Sequence, residues 1–200
     1  MTDFPKISCR LLVGVKSCQG NALRRMAISR TWLSGQVPEG IYVVFFMGGD
    51  APAFDGRVVT LAAPDGYREL PQKVRAFLSW ALKQVDFGHV MVVDDDSYVR
   101  LSVLAQPLPA LDYFGTNPVD GYCSGGGGMF LSRAAAEDVA ARMVEHEGAD
   151  DQLVGKHCKE AAVRYGIVDF GQPPAVVMQA DIPYLMRAVH EGRINGKWAR

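Results

Sequence analysis

The stretch that most constrains this chain is an apolar run that ends abruptly in three adjacent carboxylates: His89-Val90-Met91-Val92-Val93-Asp94-Asp95-Asp96-Ser97-Tyr98-Val99. Residues 90–93 show no alternation of apolar and polar side chains. They read as a strand buried on both faces, as in the parallel core of an α/β sheet. Such a strand has no room for three charges, so Asp94, Asp95 and Asp96 are expected to emerge at its carboxyl end, where open α/β sheets bind ligands. Alternation along the strand predicts Asp94 and Asp96 on one side and Asp95 on the other. Two hard carboxylate oxygens on one side suit Mg²⁺ or Mn²⁺, and an ion there could hold a diphosphate. The competing reading of the triplet is a solvated acidic turn.

The 200 residues, 48% of them hydrophobic, suffice for one α/β domain with a sizeable core. A net charge of −1 gives no global signal for nucleic acid or membrane, so partners must be inferred from sites. Residues 1–10 carry charges and a proline where a signal peptide needs an apolar core, and no later stretch is long enough to span a bilayer. The expectation is a cytoplasmic protein with no membrane anchor. Cys9, Cys18, Cys123 and Cys158 lack metal-ligand spacing and are expected to be reduced, a Cys9–Cys18 bridge requiring an oxidising compartment.

Along the chain, residues 9–15 read as a first strand, and a polar turn at 16–21 leads into a helix closed by Gly35 and Pro38. Residues 41–47 form a second buried strand, and 58–61 a short third one. Leu70, Val74, Phe77, Leu78, Ala81 and Leu82 make one stripe of a helix over 67–85, with Lys73 off the stripe, where a solvated charge is the ordinary alternative to a role in the site. Trp32 and Trp80 have core spacing. A short helix at 101–105 and a strand at 113–116 precede Gly125-Gly126-Gly127-Gly128, whose entropic cost on ordering suggests close backbone approach to something rather than a linker. A helix over 134–147 follows, then a second over 152–165, before which Asp150 and Asp151 have the ordinary role of N-caps. Short strands at 167–170 and 176–178 and a mixed helical tail over 182–200 complete the pattern.

Six segments in order resemble the β-1,3-galactosyltransferase and Fringe family of nucleotide-sugar-dependent glycosyltransferases. They are Arg30-Thr31-Trp32; Phe45-Phe46-Met47-Gly48; Asp65-Gly66-Tyr67-Arg68-Glu69-Leu70 with Lys73 and Trp80; Asp94-Asp95-Asp96-Ser97-Tyr98-Val99; the glycine run with Ser132-Arg133; and Asp150-Asp151-Gln152-Leu153-Val154-Gly155. The chain departs from the family in having Glu69 for an asparagine, in lacking its membrane anchor, and in having no clear counterpart of its C-terminal metal-binding histidine. His190, Gln179 and Asp181 are the candidates for that last position.

The resemblance implies a single GT-A domain over 1–200, a mostly parallel central sheet flanked by helices, with 1–110 as the nucleotide-sugar half and 111–200 as the acceptor half. It further implies inverting transfer from a nucleoside diphosphate sugar, expected to be a UDP-sugar, with Mn²⁺ or Mg²⁺ as cofactor. In that scheme Asp96, Asp94 and a residue such as His190 hold the ion, which stabilises charge on the leaving diphosphate. Asp94 also faces the nucleotide and Asp95 supports the ion. Asp151, with Asp150 as second choice, takes the proton from the acceptor hydroxyl. Val15, Lys16 and Ser17 lie where the base would sit, Lys73 pairs with phosphate or a sugar hydroxyl, Gly126 and Gly127 admit the sugar closely, and Arg24 and Arg25 either help bind the diphosphate or form a solvated helix face.

The acceptor stays open: a glycan precursor, a small metabolite, a protein, or a hydroxymethylated base in DNA, as a bacteriophage-type enzyme would modify. Arg187, His190, Arg193, Lys197 and Arg200 make the tail basic, which suits either phosphate contacts or plain solvation. Two other classes compete with the glycosyltransferase. One is a catalytically silent nucleotide-sugar-binding module, which the fold alone would not exclude. The other is a nucleotidyltransferase, whose glycine-rich loop would be expected after the first strand rather than after the acidic triplet.

Overall fold

A computed structural model describes residues 7–115, 118–119, 121–168, 176–177 and 183–192. In chain order the elements are β1 (Ile7–Lys16), α1 (Ala22–Ser29), β2 (Ile41–Gly49), β3 (Ala53–Phe54), β4 (Val58–Ala62), α2 (Leu70–Gln84), β5 (Val85–Asp94), β6 (Tyr98–Val99) and α3 (Leu101–Leu104). Then come β7 (Tyr113–Gly115), β8 (Pro118–Val119), β9 (Tyr122–Cys123), β10 (Met129–Ser132), α4 (Arg133–Arg142), α5 (Asp150–Glu160), β11 (Tyr165–Ile167), β12 (Val176–Val177) and α6 (Pro183–His190). One sheet of order β11-β7-β10-β5-β1-β2-β4-β3 runs through the molecule. β1 pairs in parallel with both β2 and β5, and β2 with β4, while β10 is antiparallel to β5 and β7.

The unalternating apolar runs have the cause the sequence suggests. Leu12, Val44, Phe46, Val90 and Val92 face α2 and α4 through Val74, Phe77, Leu78, Ala81, Ala135 and Val139. Their neighbours Leu11, Val13, Val15, Val43, Phe45, Met91 and Val93 face Ile28, Trp32, Leu101, Leu104, Met186 and Val189 on the other side. Each central strand is thus covered twice, which gives a three-layer α/β/α arrangement. α2 lies so close to the sheet that a Cβ at Gly14 would overlap the Phe77 ring. Trp80 stacks on Phe77 and meets Phe54 edge-on, so it packs as its spacing predicts.

Several ends differ from the expected ones. α1 stops at Ser29, where Thr31 Oγ1 turns back to donate to Ala27 O (2.7 Å). α4 ends at Arg142 rather than 147, because buried Met143 is already extended and the polar residues after it form a loop with Gly148 at φ 131°. β11 begins at Tyr165, two residues early, after a turn with Ala162 at φ 52°; Phe170 and Met178 lie outside the described residues, as does Thr116. All four cysteines are free. Burial pushes the thiols of Cys9 and Cys123 up to about 11 and that of Cys158 to about 12. Among the described residues no helix is long and apolar enough to cross a membrane.

Candidate functional site

The strand order determines where a ligand can enter. From β1 the chain builds outward through β2 and β4, then returns along α2 to place β5 on the opposite side of β1. The crevice beyond the carboxyl ends of β1 and β5 is therefore a topological switch point, the usual ligand position in an open α/β sheet. A cavity of about 760 Å³ lies there, lined by residues of the β1 end, α1, the 65–73 segment, the acidic triplet, Gly125 and the 147–151 segment.

The triplet does not follow strand alternation. β5 ends at Asp94, and a turn closed by Ser97 N donating to Asp94 O (3.2 Å) carries the next residues out of the pleat. Asp95 Oδ2 accepts from Ser17 Oγ (2.7 Å) and Asn21 Nδ2 (3.0 Å), and its Oδ1 from Arg24 Nη1 (3.0 Å). Arg24 also lies 3.6 Å from Asp96, so Asp95 and Asp96 share a partner while Asp94 turns to Lys16. β5 ends at Asp94, so a turn rather than the pleat carries Asp95 and Asp96. The Asp95 side chain is only 5% exposed, against 34% for Asp94 and 29% for Asp96, so the last two are the ones able to meet a ligand. Trp32 Nε1 donates to Ser97 O (3.1 Å) and Ser97 Oγ to Gly126 O (2.8 Å), which fixes the turn from behind.

The glycine run approaches closely, as expected, but one residue earlier than predicted. Gly125, Gly126 and Gly127 form a single 3₁₀ turn, and Gly128 ends it at φ 83°. All three are buried, and of them Gly125 lines the cavity. A Cβ at Gly125 would sit 3.3 Å from Lys16 Nζ and 3.5 Å from Asp94 Oδ1.

Asp150 and Asp151, which also line the cavity, are the first two residues of α5, and the N-cap is Ala149 rather than either of them. Asp151 is half-buried; its Oδ1 accepts from Gln152 N (2.8 Å) and its Oδ2 from Gly125 N (3.2 Å). Asp150 is buried and its Oδ2 accepts from Lys16 Nζ at 2.7 Å. The Lys16 ammonium, itself buried, lies 2.9 Å from Asp94 Oδ1. Burial disfavours its charge, but the carboxylates of Asp150 and then Asp94 outweigh that and push its pKa up.

Lys73 is fully buried, which excludes the alternative of a solvated charge. Its Nζ donates to Ser17 O (2.9 Å), Asp65 Oδ1 (2.8 Å) and Asp65 O (3.3 Å). Asp65 also accepts from Gln19 N (2.6 Å) and Gly48 N (2.7 Å). Burial opposes ionisation of Asp65, but the Lys73 bond and these two backbone bonds together hold its carboxyl below the usual range. Asn21, Asp65 and Gly125 were given no role from sequence; for Asp65 and Gly125 the signal lay in the motifs themselves.

No family model matches the sequence. Over 122 residues the chain is 32% identical to beta-1,3-galactosyltransferase 6 of Mus musculus, a match covering 53% of this chain and 38% of that protein. The chain thus spans well under two thirds of that relative. A mannosyltransferase of Pyrobaculum calidifontis, solved with GDP-Man and Mn²⁺, superposes with a TM-score of 0.53 at 13% identity, covering 86% of this chain and 61% of that one. Drosophila β-1,4-galactosyltransferase 7, solved as a mutant with manganese, UDP-Gal and xylobiose, gives 0.52 at 9% identity, covering 96% and 76%. The chain has the GT-A fold of nucleotide-diphospho-sugar transferases.

Within this GT-A fold the remaining predicted residues separate. Lys16, Ser17, Arg24, Lys73, Asp94, Asp95, Asp96, Asp150 and Asp151 all line the one cavity. Val15 does not; its side chain is fully buried in the core. Arg25 sits behind the β1 end, with Nη1 donating to Ser17 Oγ (2.9 Å) and to Cys18 O. His190 is not a cavity-lining residue: it is exposed on α6, with Nδ1 2.9 Å from Tyr98 Oη. Gln179, Asp181, Arg193, Lys197 and Arg200 lie outside the described residues.

Among the described residues no three His, Cys, Asp or Glu form a metal cage. The donor set nevertheless fits Mg²⁺ or Mn²⁺, since Asp94 and Asp96 offer hard, partly exposed oxygens on the cavity wall. Ions of this type are held by one or two carboxylates, with substrate phosphates and water completing the shell.

Proposed function

We propose that this protein is a metal-dependent, inverting glycosyltransferase that moves a sugar from a nucleoside diphosphate sugar, in our reading a UDP-sugar, to a hydroxyl acceptor. The observation that carries the proposal is one cavity lined both by two partly exposed carboxylates of the triplet and by Asp151, at the switch point of a GT-A sheet. Asp96 and Asp94 would hold a divalent ion together with the donor diphosphate, and that ion supplies positive charge against the negative charge developing on the leaving group.

The chain's own residues do the rest. Arg24 adds a guanidinium at the diphosphate wall, and Asp95, pinned by Ser17, Asn21 and Arg24, keeps the triplet turn in place. Inversion by in-line displacement needs a base on the face opposite the leaving group. Asp151 is suited to that role because it is partly open to the cavity, with Gly125 N orienting its carboxylate. Asp150 is not suited, because it is buried and its charge is committed to Lys16. Lys73 and Asp65 shape the site by fixing the end of β1 rather than by touching the donor.

The test is a panel of UDP- and other nucleotide-sugars with Mn²⁺, scored for release of free nucleoside diphosphate with hydroxyl acceptors that include glycans and hydroxymethylated DNA. Selective release from one donor, abolished in Asp96→Ala and reduced at least about 100-fold in Asp151→Asn, is expected. Release of pyrophosphate would indicate a nucleotidyltransferase. Nucleotide-sugar binding without turnover under every condition would indicate a silent binding module.

A further inference from the structure

Lys16 has no part in the reaction described above, yet its ammonium touches both sides of the cavity. It ends β1 directly beside Asp94 in the parallel β1/β5 register. Its Nζ lies 2.9 Å from Asp94 Oδ1 on the donor side and 2.7 Å from Asp150 Oδ2 in the first turn of α5. Gly125 leaves just enough room for this arrangement, since a Cβ there would come within 3.3 Å of Nζ. The body of α5 packs against α2, α4 and β9. Its first turn reaches the sheet end through two polar contacts, Asp150 with Lys16 and Asp151 with Gly125 N.

Burying an ammonium and a carboxylate is costly, and a pair of well-packed apolar side chains often serves stability as well or better. Stability is therefore a poor reason for Lys16 and Asp150. Geometry supplies a better one. Asp94 and Asp150 would repel across the same few ångströms without a cation between them. With it, the donor-side carboxylate and the helix carrying Asp151 become one unit.

We propose that Lys16 is a positioning residue: its ammonium ties Asp94 to the first turn of α5 and thereby aims Asp151 at the acceptor, so that position 16 must be charged and not merely filled. The inference rests on the glycosyltransferase reading for its consequence in turnover, but the docking of α5 can be read without turnover.

The experiment compares wild type, Lys16→Met and Lys16→Met/Asp150→Asn by thermal melting, by amide hydrogen exchange of the unliganded proteins and by steady-state transfer. Lys16→Met leaves Asp150 buried and unpaired, so its Tm falls. The double variant removes both charges and recovers most of that loss. In the double variant the amides of Gly125, Leu153 and Val154 are expected to exchange at least about tenfold faster than in wild type, with β5 amides unchanged. Its kcat falls about 100-fold while the donor KM stays within about threefold, as for a misplaced catalytic group.

If the double variant exchanges like wild type at these three amides, or keeps kcat within about threefold, Lys16 merely neutralises Asp150 and the proposal is overturned. If wild type transfers no sugar from any donor, the glycosyltransferase reading fails, and the exchange data alone decide whether Lys16 docks α5. If Lys16→Met does not fold, the double variant carries the comparison.

Discussion

Replacing Lys73 with methionine tests the most deeply buried charge in the site. Methionine keeps the apolar stem that packs on the sheet and deletes the ammonium. The deletion removes the bonds to Ser17 O, Asp65 Oδ1 and Asp65 O. Breaking a buried ion pair by removing one partner costs about 3–5 kcal/mol. Asp65 is 23% exposed and retains its bonds from Gln19 N and Gly48 N, so the lower end applies, about 3 kcal/mol. For a domain of this size that corresponds to a Tm lower by roughly 6–12 °C. Urea unfolding followed by tryptophan fluorescence should show the midpoint shifted with m unchanged. Lys73→Met/Asp65→Asn should lose less than the sum of the single variants, because each single change leaves the other charge uncompensated. A loss below about 1 kcal/mol in Lys73→Met, the range of a solvated surface pair, would refute the reasoning and return Lys73 to solvent. A normal loss with unaltered donor affinity would refute only the claim that the bond to Ser17 O shapes the site.

Acid should weaken the native state through Asp65. Its native pKa lies below the ordinary 3.8, so its contribution is complete above that value and is lost as pH falls through the lower native one. Asp65→Asn should be less stable near neutrality and show a flatter fall of Tm below pH 4 than wild type, a comparison made by melting across pH 2–6. Gly14→Ala drives a methyl into the Phe77 ring and should cost about 1–3 kcal/mol in urea unfolding, with no loss if α2 can slide. Trp32→Phe keeps most of the packing but loses the Nε1 bond to Ser97 O; about 1 kcal/mol of stability should go, and Mn²⁺ titration in the presence of nucleotide should show weaker binding if that bond holds the triplet turn.

What could be read from the sequence depended on how local its cause was. The buried β5 run and the carboxylates at its end were legible because burial on both faces leaves one pattern, and the switch point follows from strand order. The turn that carries Asp95 and Asp96 was not legible, because alternation holds only as far as the last ladder residue and the turn begins at once. The burial of Lys73 was not legible for a related reason: a helix stripe says which positions face the sheet, but not that a charged position will find a carboxylate from the preceding loop. The glycine run correctly signalled close approach, whereas the identity of the residue at the cavity depended on a 3₁₀ turn that composition does not register. Lys16 was placed with the nucleotide because it ends β1; the pairing with Asp150 joins residues far apart in sequence and has no local signature.

The parallel β1/β5 pair has a consequence for how the chain acquires its structure. The two strands that frame the cavity are separated by α1, β2, β3, β4 and α2, so their ladder closes a long loop and belongs to the slow, non-local part of folding. A chain emerging from the ribosome can form α1 and pair β1 with β2 well before β5 is available. The contact Lys16–Asp94 can form only when that last central strand is seated. Appearance of ligand binding during refolding should therefore coincide with global folding rather than precede it, and mutations that slow the β1/β5 closure should delay the site and the core together.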